Sequence, residues 1–330
     1  MADMLDIKAL TVCVKKEKKT FIILDNISFS IKEGEILGLA GESGCGKSIT
    51  ALSIPNLLPQ NISVLKGEIN YNNCNLVLLK EKELCGIRGN EIAVIFQDVR
   101  QSLNPMIRIG KQITESLELS QRLRKQKIDK ENNKTAVTDI LKTLGFNNPQ
   151  KIFNAFPHQL SGGMCQRIVT AIAAIKRPKL LLADEPSSSL DEESQEKCLS
   201  LLKEMNQKHK TSLLVISHDL SIIRQFCSRY LIMYAGKIIE EGPSELLYTP
   251  LHPYTNALIN AAPHKDKRGS NLKNIHGKVP SIEDRKDGCP FAPRCAKAQL
   301  KCIEEFPQAK EFKNRRVFCS FPELTGGNNE

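Results

Sequence analysis

Gly41-Glu42-Ser43-Gly44-Cys45-Gly46-Lys47-Ser48 meets every fixed position of G-x-x-x-x-G-K-[ST] and follows directly on the apolar run Ile36 to Ala40. A strand ending in such a loop constrains the chain to a P-loop arrangement. The glycines let the backbone curl until successive N–H groups point at phosphate oxygens, and the helix beginning near Lys47 adds the positive end of its dipole. In that arrangement Lys47 reaches the β- and γ-phosphates and Ser48 places its hydroxyl on Mg²⁺, while Cys45 is a small spacer rather than a reactive thiol.

A second stretch supplies the acid that a P-loop needs. Leu180-Leu181-Leu182-Ala183 is a continuous apolar run, and Asp184-Glu185 follows it. A buried parallel strand would deliver both carboxylates at its carboxyl end, where ligands collect in open α/β sheets. Asp184 is placed to hold Mg²⁺, directly or through water, and Glu185 to orient and deprotonate an attacking water. The run Ser212 to Ser217 has the same character and leads into His218, and Ile92 to Phe96 leads into Gln97. Strands alternating with helical patterns predict one largely parallel sheet covered on both faces. Upstream, Leu5 to Ala40 reads as strands separated by Lys- and Gly-containing turns, and Gly67 to Tyr71 as another strand. Between Lys111 and Gly145, Ile113, Leu117, Val137, Ile140, Leu141 and Leu144 fall at helical spacing, with Gly145 as the cap, which predicts a helical insertion.

Leu160-Ser161-Gly162-Gly163-Met164 lies between the two motifs. With it the chain resembles the ATP-binding subunits of ABC transporters, whose signature opens Leu-Ser-Gly-Gly. The resemblance implies an α/β P-loop NTPase with a RecA-like core, an N-terminal β subdomain and a helical insertion at about residues 98–165. It implies that Ser161, Gly162 and Gly163 form a second phosphate clamp, at a helix N-terminus, for the ATP held by the opposite subunit. Gln97 resembles the glutamine that senses Mg²⁺ and the membrane partner. Ser189-Leu190-Asp191 resembles the loop that crosses the dimer, and His218 the histidine near the γ-phosphate.

Within that family the chain is similar to the ATPases of oligopeptide and dipeptide importers, a group that includes nickel importers. Gln97 to Pro105 resembles their stretch ending Ser-Leu-Asn-Pro, Phe156-Pro157-His158 precedes the signature, and His252-Pro253-Tyr254-Thr255 opens their C-terminal extension. Val99-Arg100-Gln101 replaces the more usual Pro-Met-Thr, Gln159 stands where Glu is common, and Met164 replaces a glutamine. An adenine-stacking aromatic is expected near Val14, where the nearest is Phe21. The resemblance implies an ATPase domain over residues 1–250, an extension over 251–324 and a tail over 325–330. It also implies two transmembrane permease subunits, a second and paralogous ATPase chain, and an extracellular binding protein reached through the complex. Peptide cargo is the first reading and nickel or a metal chelate the second. A soluble ABC ATPase acting on nucleic acid is a third, whose usual tandem ATPase units or long coiled-coil insertion do not occur here.

Composition narrows the setting. The chain has 330 residues and a formal net charge of +10, with Lys and Arg concentrated from Lys265 to Arg316. A basic surface of this kind can meet an anionic membrane face or a nucleic acid. No apolar run approaches the roughly 18 residues of a membrane span, and Met1-Ala2-Asp3-Met4 lacks the features of a secretory signal. The chain is therefore expected to stay in the cytosol, and the resemblance implies a peripheral subunit on the cytoplasmic side of the cell membrane. In a reducing compartment the 11 cysteines are not a disulfide framework. Cys289, Cys295, Cys302 and Cys319 are close in sequence, and their spacing permits a tetrathiolate site without choosing its metal. Resemblance favours a 4Fe-4S cluster over Zn²⁺.

Overall fold

The computed structural model describes residues 3–17, 19–99, 101–188, 190–261 and 275–323. Arg100, Ser189 and the tail over 325–330 lie outside the described residues. The chain divides into two compact units, one formed chiefly by residues 78–216 with 32–36, the other by 3–31, 37–77 and 217 onward.

The first unit is built on three parallel strands, β6 (Ile92–Ile95), β7 (Leu180–Asp184) and β8 (Ser212–Ile216). Leu180 to Ala183 and Leu213 to Ile216 are all fully buried. Strands covered on both faces have no polar side to alternate with, which is why these runs are apolar without a break. Around them lie α2 (Glu81–Ile87), α3 (Ile109–Leu123), α4 (Lys130–Thr143), α5 (Pro149–Asn154), α6 (Gly162–Ala174) and α7 (Glu192–His209). The predicted insertion is thus a small helical bundle. α3 ends at Leu123, and Lys125, two residues on, turns the chain with a φ of 55°. α4 then starts at Asp129, whose carboxylate accepts from the N–H groups of Glu131 and Asn132. Gly145, at φ 78°, follows the end of α4 as its sequence position predicted, with its N–H on the Lys142 carbonyl.

The second unit holds an antiparallel sheet in the order β2 (Lys19–Lys32), β1 (Asp3–Lys16), β4 (Ile62–Tyr71), β5 (Cys74–Asn75). It also holds β3 (Ile36–Ala40), paired in parallel with β9 (Arg229–Tyr234). β10 (Lys237–Pro243) pairs antiparallel with β9, and β12 (Arg315–Val317) with β10, while β11 (Lys310–Phe312) closes the edge against β12. The C-terminal residues therefore extend this sheet directly. α1 (Lys47–Ser53), α8 (Leu220–Phe226), α9 (Pro253–Ala261) and α10 (Leu300–Glu304) complete the unit. Its interior contains Leu37, Leu39, Tyr230, Ile232, Tyr234 and Tyr254, none of them solvent-exposed.

Candidate functional site

β3 delivers the P-loop at its carboxyl end and α1 receives it. Gly46, the N-cap of α1, has φ 112°, and a Cβ there would lie 2.6 Å from Leu24. Gly41 has φ 154°, and a Cβ there would come within 2.2 Å of the Met233 carbonyl oxygen, a backbone atom that cannot yield. The glycines thus serve close approach as well as curvature. Lys47 is buried, and its ammonium donates to the carbonyls of Gly41 (2.8 Å) and Glu42 (2.9 Å). Ser43 and Gly44 are exposed at the loop's crest, and Ser48 is half-buried in the first turn of α1. Cys45 is fully buried, and burial raises its thiol pKa despite the Lys47 charge beside it.

In the other unit β7 ends in Asp184, which is buried, and Glu185, which is half-buried. Asp184 is registered against Ile216 of β8, and the Glu185 N–H donates to the Ile216 carbonyl at 3.0 Å. Glu185 adopts φ 50°, a left-handed conformation uncommon for a residue with a side chain. Its turn is braced from α6, where Gln166 donates through Nε2 to the carbonyls of Pro186 (3.0 Å) and Glu185 (3.4 Å). Nothing in the sequence marked Gln166 as such a brace.

The predicted signature sits at the start of α6. Ser161 is the N-cap and accepts from the Met164 N–H at 3.3 Å, and Gly162 faces open space where a Cβ would meet nothing within 4 Å. Gly163 is half-buried in the same first turn. Asp191 caps α7, accepting from both the N–H and the hydroxyl of Ser194 at 2.9 Å. Those hydrogen bonds, the backbone one foremost, hold its carboxyl below the usual aspartate value. Gln97 is exposed just beyond β6. His218 is exposed just before α8, at a turn where the Asp219 N–H donates to the Ser217 hydroxyl at 3.0 Å. Asp184, Glu185, Gln97, Ser161, Gly162, Gly163 and Asp191 belong to the first unit. The P-loop and His218 belong to the second.

The four C-terminal cysteines line one cavity of the second unit, together with His252 and Phe291. The loop is closed by a Cys289 N–H to Cys302 carbonyl bond of 2.7 Å and by turns through Ala292 to Cys295. Burial pushes the Cys289 thiol up to about 11 and raises Cys295 and Cys319 as well, with neighbouring thiolates adding to the shift. The expected metal centre is not supported by this arrangement. Among the described residues no group of three or more His, Cys, Asp or Glu side chains could hold a metal ion. Neither the 4Fe-4S cluster nor the Zn²⁺ alternative is therefore supported by a ligand group among the described residues. Of the adenine-stacking candidates, Val14 is buried in β1 and Phe21 is half-buried in β2.

The same unit shows contacts that the sequence did not reveal. Tyr254 accepts the Glu42 N–H on its hydroxyl at 2.8 Å. Arg294, on the short turn between Cys289 and Cys295, forms a two-pronged ion pair with the Glu42 carboxylate at 2.7 and 3.1 Å. The partners lie 252 residues apart, beyond the reach of any local pattern.

Comparison with known proteins follows these motifs. A family model described as ABC transporter matches residues 24–188, and one described as the oligopeptide/dipeptide transporter C-terminal region matches residues 239–302. The chain is 39% identical to the oligopeptide transport ATP-binding protein AppD of Bacillus subtilis, over 97% of each chain. It is 36% identical to the dipeptide transport ATP-binding protein DppD of Escherichia coli, again over 97% of each. Among solved structures, a dimeric bacterial ABC transporter cassette superposes with a TM-score of 0.67 at 29% identity, covering 73% of this chain and 99% of the other. The same cassette bound to ADP and Pi, in a post-hydrolysis state, gives 0.66.

Proposed function

Because the chain belongs to the ABC transporter family of ATP-binding proteins and carries the C-terminal region of its oligopeptide/dipeptide branch, we propose that it energises uptake of peptides. It is an ATPase coupled to transport. It is associated with the membrane through its partners, and no helix among the described residues is long and apolar enough to cross one. The relatives are named for oligopeptides and dipeptides, so nickel is not the favoured cargo. The subunit docks on the cytoplasmic side against two permeases, beside a paralogous ATPase, and receives cargo from an extracellular binding protein. Its ATPase domain spans 1–250 and its extension 251–324. The observation that carries the reading is a P-loop on β3 and a carboxylate pair closing β7 in a chain with the Leu160 to Gly163 signature.

Each residue has a separate task. The curl from Gly41 to Gly46 turns N–H groups toward the phosphates, and Lys47 exchanges its loop carbonyls for the β- and γ-phosphates. Mg²⁺, when bound, offsets charge on the phosphate oxygens, and Ser48, Asp184 and Gln97 are the residues assigned to it. Glu185 takes a proton from the attacking water. His218 donates to the γ-phosphate, which stabilises charge as the bond to the leaving oxygen breaks. Ser161, Gly162 and Gly163 clamp the nucleotide of the opposite subunit, and Asp191 holds the start of α7 at the dimer face.

The four cysteines carry a finer reading, a 4Fe-4S cluster. Its support is the resemblance together with four thiols lining one cavity. Such a cluster supplies cross-linking and redox chemistry when bound, while Cys289, Cys295, Cys302 and Cys319 anchor the loop around it. Brown protein with iron and acid-labile sulfide after anaerobic purification is the expected result.

Deleting the gene tests the cargo. The mutant is expected to lose growth on oligopeptides as the amino-acid source and to keep nickel uptake. The reverse pattern would overturn the peptide assignment.

A further inference from the structure

Arg294 has five N–H donors, and each meets an acceptor. Two go to the Glu42 carboxylate and one to the Tyr234 hydroxyl at 3.1 Å. The others go to the backbone carbonyls of His276 at 2.8 Å and Ile275 at 3.2 Å. The guanidinium side chain is only 5% exposed and that of Glu42 25%. Burial lowers the guanidinium pKa, but the bonds to Glu42 and Tyr234 outweigh it and the net shift is upward. Beneath the pair, Tyr234, Tyr254 and Phe291 pack with ring centroids 4.6 to 5.4 Å apart.

Glu42 is therefore held at three points. Its N–H is bound by Tyr254, its carboxylate by Arg294, and its carbonyl by the Lys47 ammonium. An N–H already given to Tyr254 is not free for a phosphate, so the contribution of Glu42 to the loop is positional. Its carboxylate is an anion built into a loop that must receive a polyphosphate, and Arg294 is the cation that pairs with it.

We infer that Arg294 and Tyr254 are positioning residues for the P-loop, Arg294 by neutralising the Glu42 carboxylate and Tyr254 by anchoring the Glu42 N–H, so that the C-terminal extension sets nucleotide affinity. This rests on the ATPase reading above. Without Arg294 the bare carboxylate opposes the triphosphate. A unit charge on the order of 10 Å away, at an effective dielectric near 20, changes affinity roughly tenfold.

The test is MgATP binding by calorimetry to the full chain, in a Glu185→Gln background so that nucleotide survives, with kcat and KM measured on the Glu185 parent. Arg294→Met is expected to weaken binding and raise KM by roughly tenfold, with kcat within about twofold. Adding Glu42→Gln removes the unpaired anion and should restore affinity to within about threefold of the parent. Arg294→Lys, which keeps charge but loses the fork, should fall between. Tyr254→Phe deletes one hydroxyl and keeps the packing, so it remains informative even if Arg294→Met does not fold. It should weaken binding by about threefold or more. Equal loss in Arg294→Met and the double variant would reduce Arg294 to a structural role and overturn the proposal, as would parent-like affinity in Tyr254→Phe. A parent chain that binds no MgATP would overturn the ATPase reading itself, a result distinct from a parent that binds and variants that do not differ from it.

Discussion

At the scale of single residues, Glu185 combines the task of a base with a backbone conformation that a side chain disfavours. Its φ of 50° costs on the order of 1 kcal/mol, and the following Pro186 favours an extended residue before it. Strain of this kind persists where surrounding contacts enforce it, here the Ile216 carbonyl and the Gln166 brace. Two substitutions separate the two properties. Glu185→Gln keeps the conformation and should slow turnover by roughly 100-fold or more while retaining ATP. Glu185→Gly should abolish hydrolysis without lowering Tm, because relief of the strain offsets the entropy that glycine loses on folding. Turnover and differential scanning calorimetry read both, and a Glu185→Gln protein at the parent rate would refute the assignment. Cys45 offers a check of another kind. Exposed Cys74 and Cys85 should alkylate first at neutral pH, and Cys45, buried with a raised thiol pKa, should be protected. Peptide mass spectrometry after limited iodoacetamide treatment would show the order.

At the scale of elements, two of the caps in the first unit have different consequences. Ser161→Ala removes the hydroxyl that accepts the Met164 N–H, and should cost about 1 kcal/mol of stability. If Ser161 also clamps nucleotide, activity will fall further than that loss explains. Asp191 is held below the ordinary aspartate value by Ser194. A carboxyl with a depressed folded pKa contributes stability that is complete above its unfolded value and disappears as pH falls through the folded one. The Tm difference between the parent and Asp191→Asn should therefore be present at pH 7 and vanish on acidification through the aspartate range. Strands were the most legible elements. Ile36 to Ala40, Leu180 to Ala183 and Leu213 to Ile216 are runs without a polar side chain, and a parallel sheet buried on both faces produces that pattern. The break between α3 and α4 was not legible, because it is made by Lys125 in a left-handed turn and by the Asp129 cap rather than by glycine or proline. The extension hid most. β11 and β12 have three residues each, too few for an alternation to stand out. The contacts of Arg294 and Tyr254 with Glu42 depend on chain closure over more than 200 residues.

At the scale of the whole molecule, the motifs point to a partner. Exposed Ser161 and the open space beside Gly162 leave the start of α6 accessible, and the P-loop belongs to the other compact unit. A helix N-terminus without an acid in its first turn suits a phosphate, and the family resemblance assigns it the phosphate of a neighbouring subunit. Symmetry alone would favour two copies of this chain, whereas the likeness to peptide importers implies a paralogous second ATPase. The two arrangements differ in a measurable way. Glu185→Gln protein with MgATP, examined by light scattering, should remain monomeric alone and dimerise when the paralogue is added, since each composite site would then draw its second clamp from a different chain. Purification of the assembled transporter through a tagged permease should return the two ATPase chains in equal amounts. Two identical copies of this chain per transporter, or an ATP-dependent dimer formed by this chain alone with the same stability, would disprove the heteromeric arrangement while leaving the clamp at the start of α6 in place.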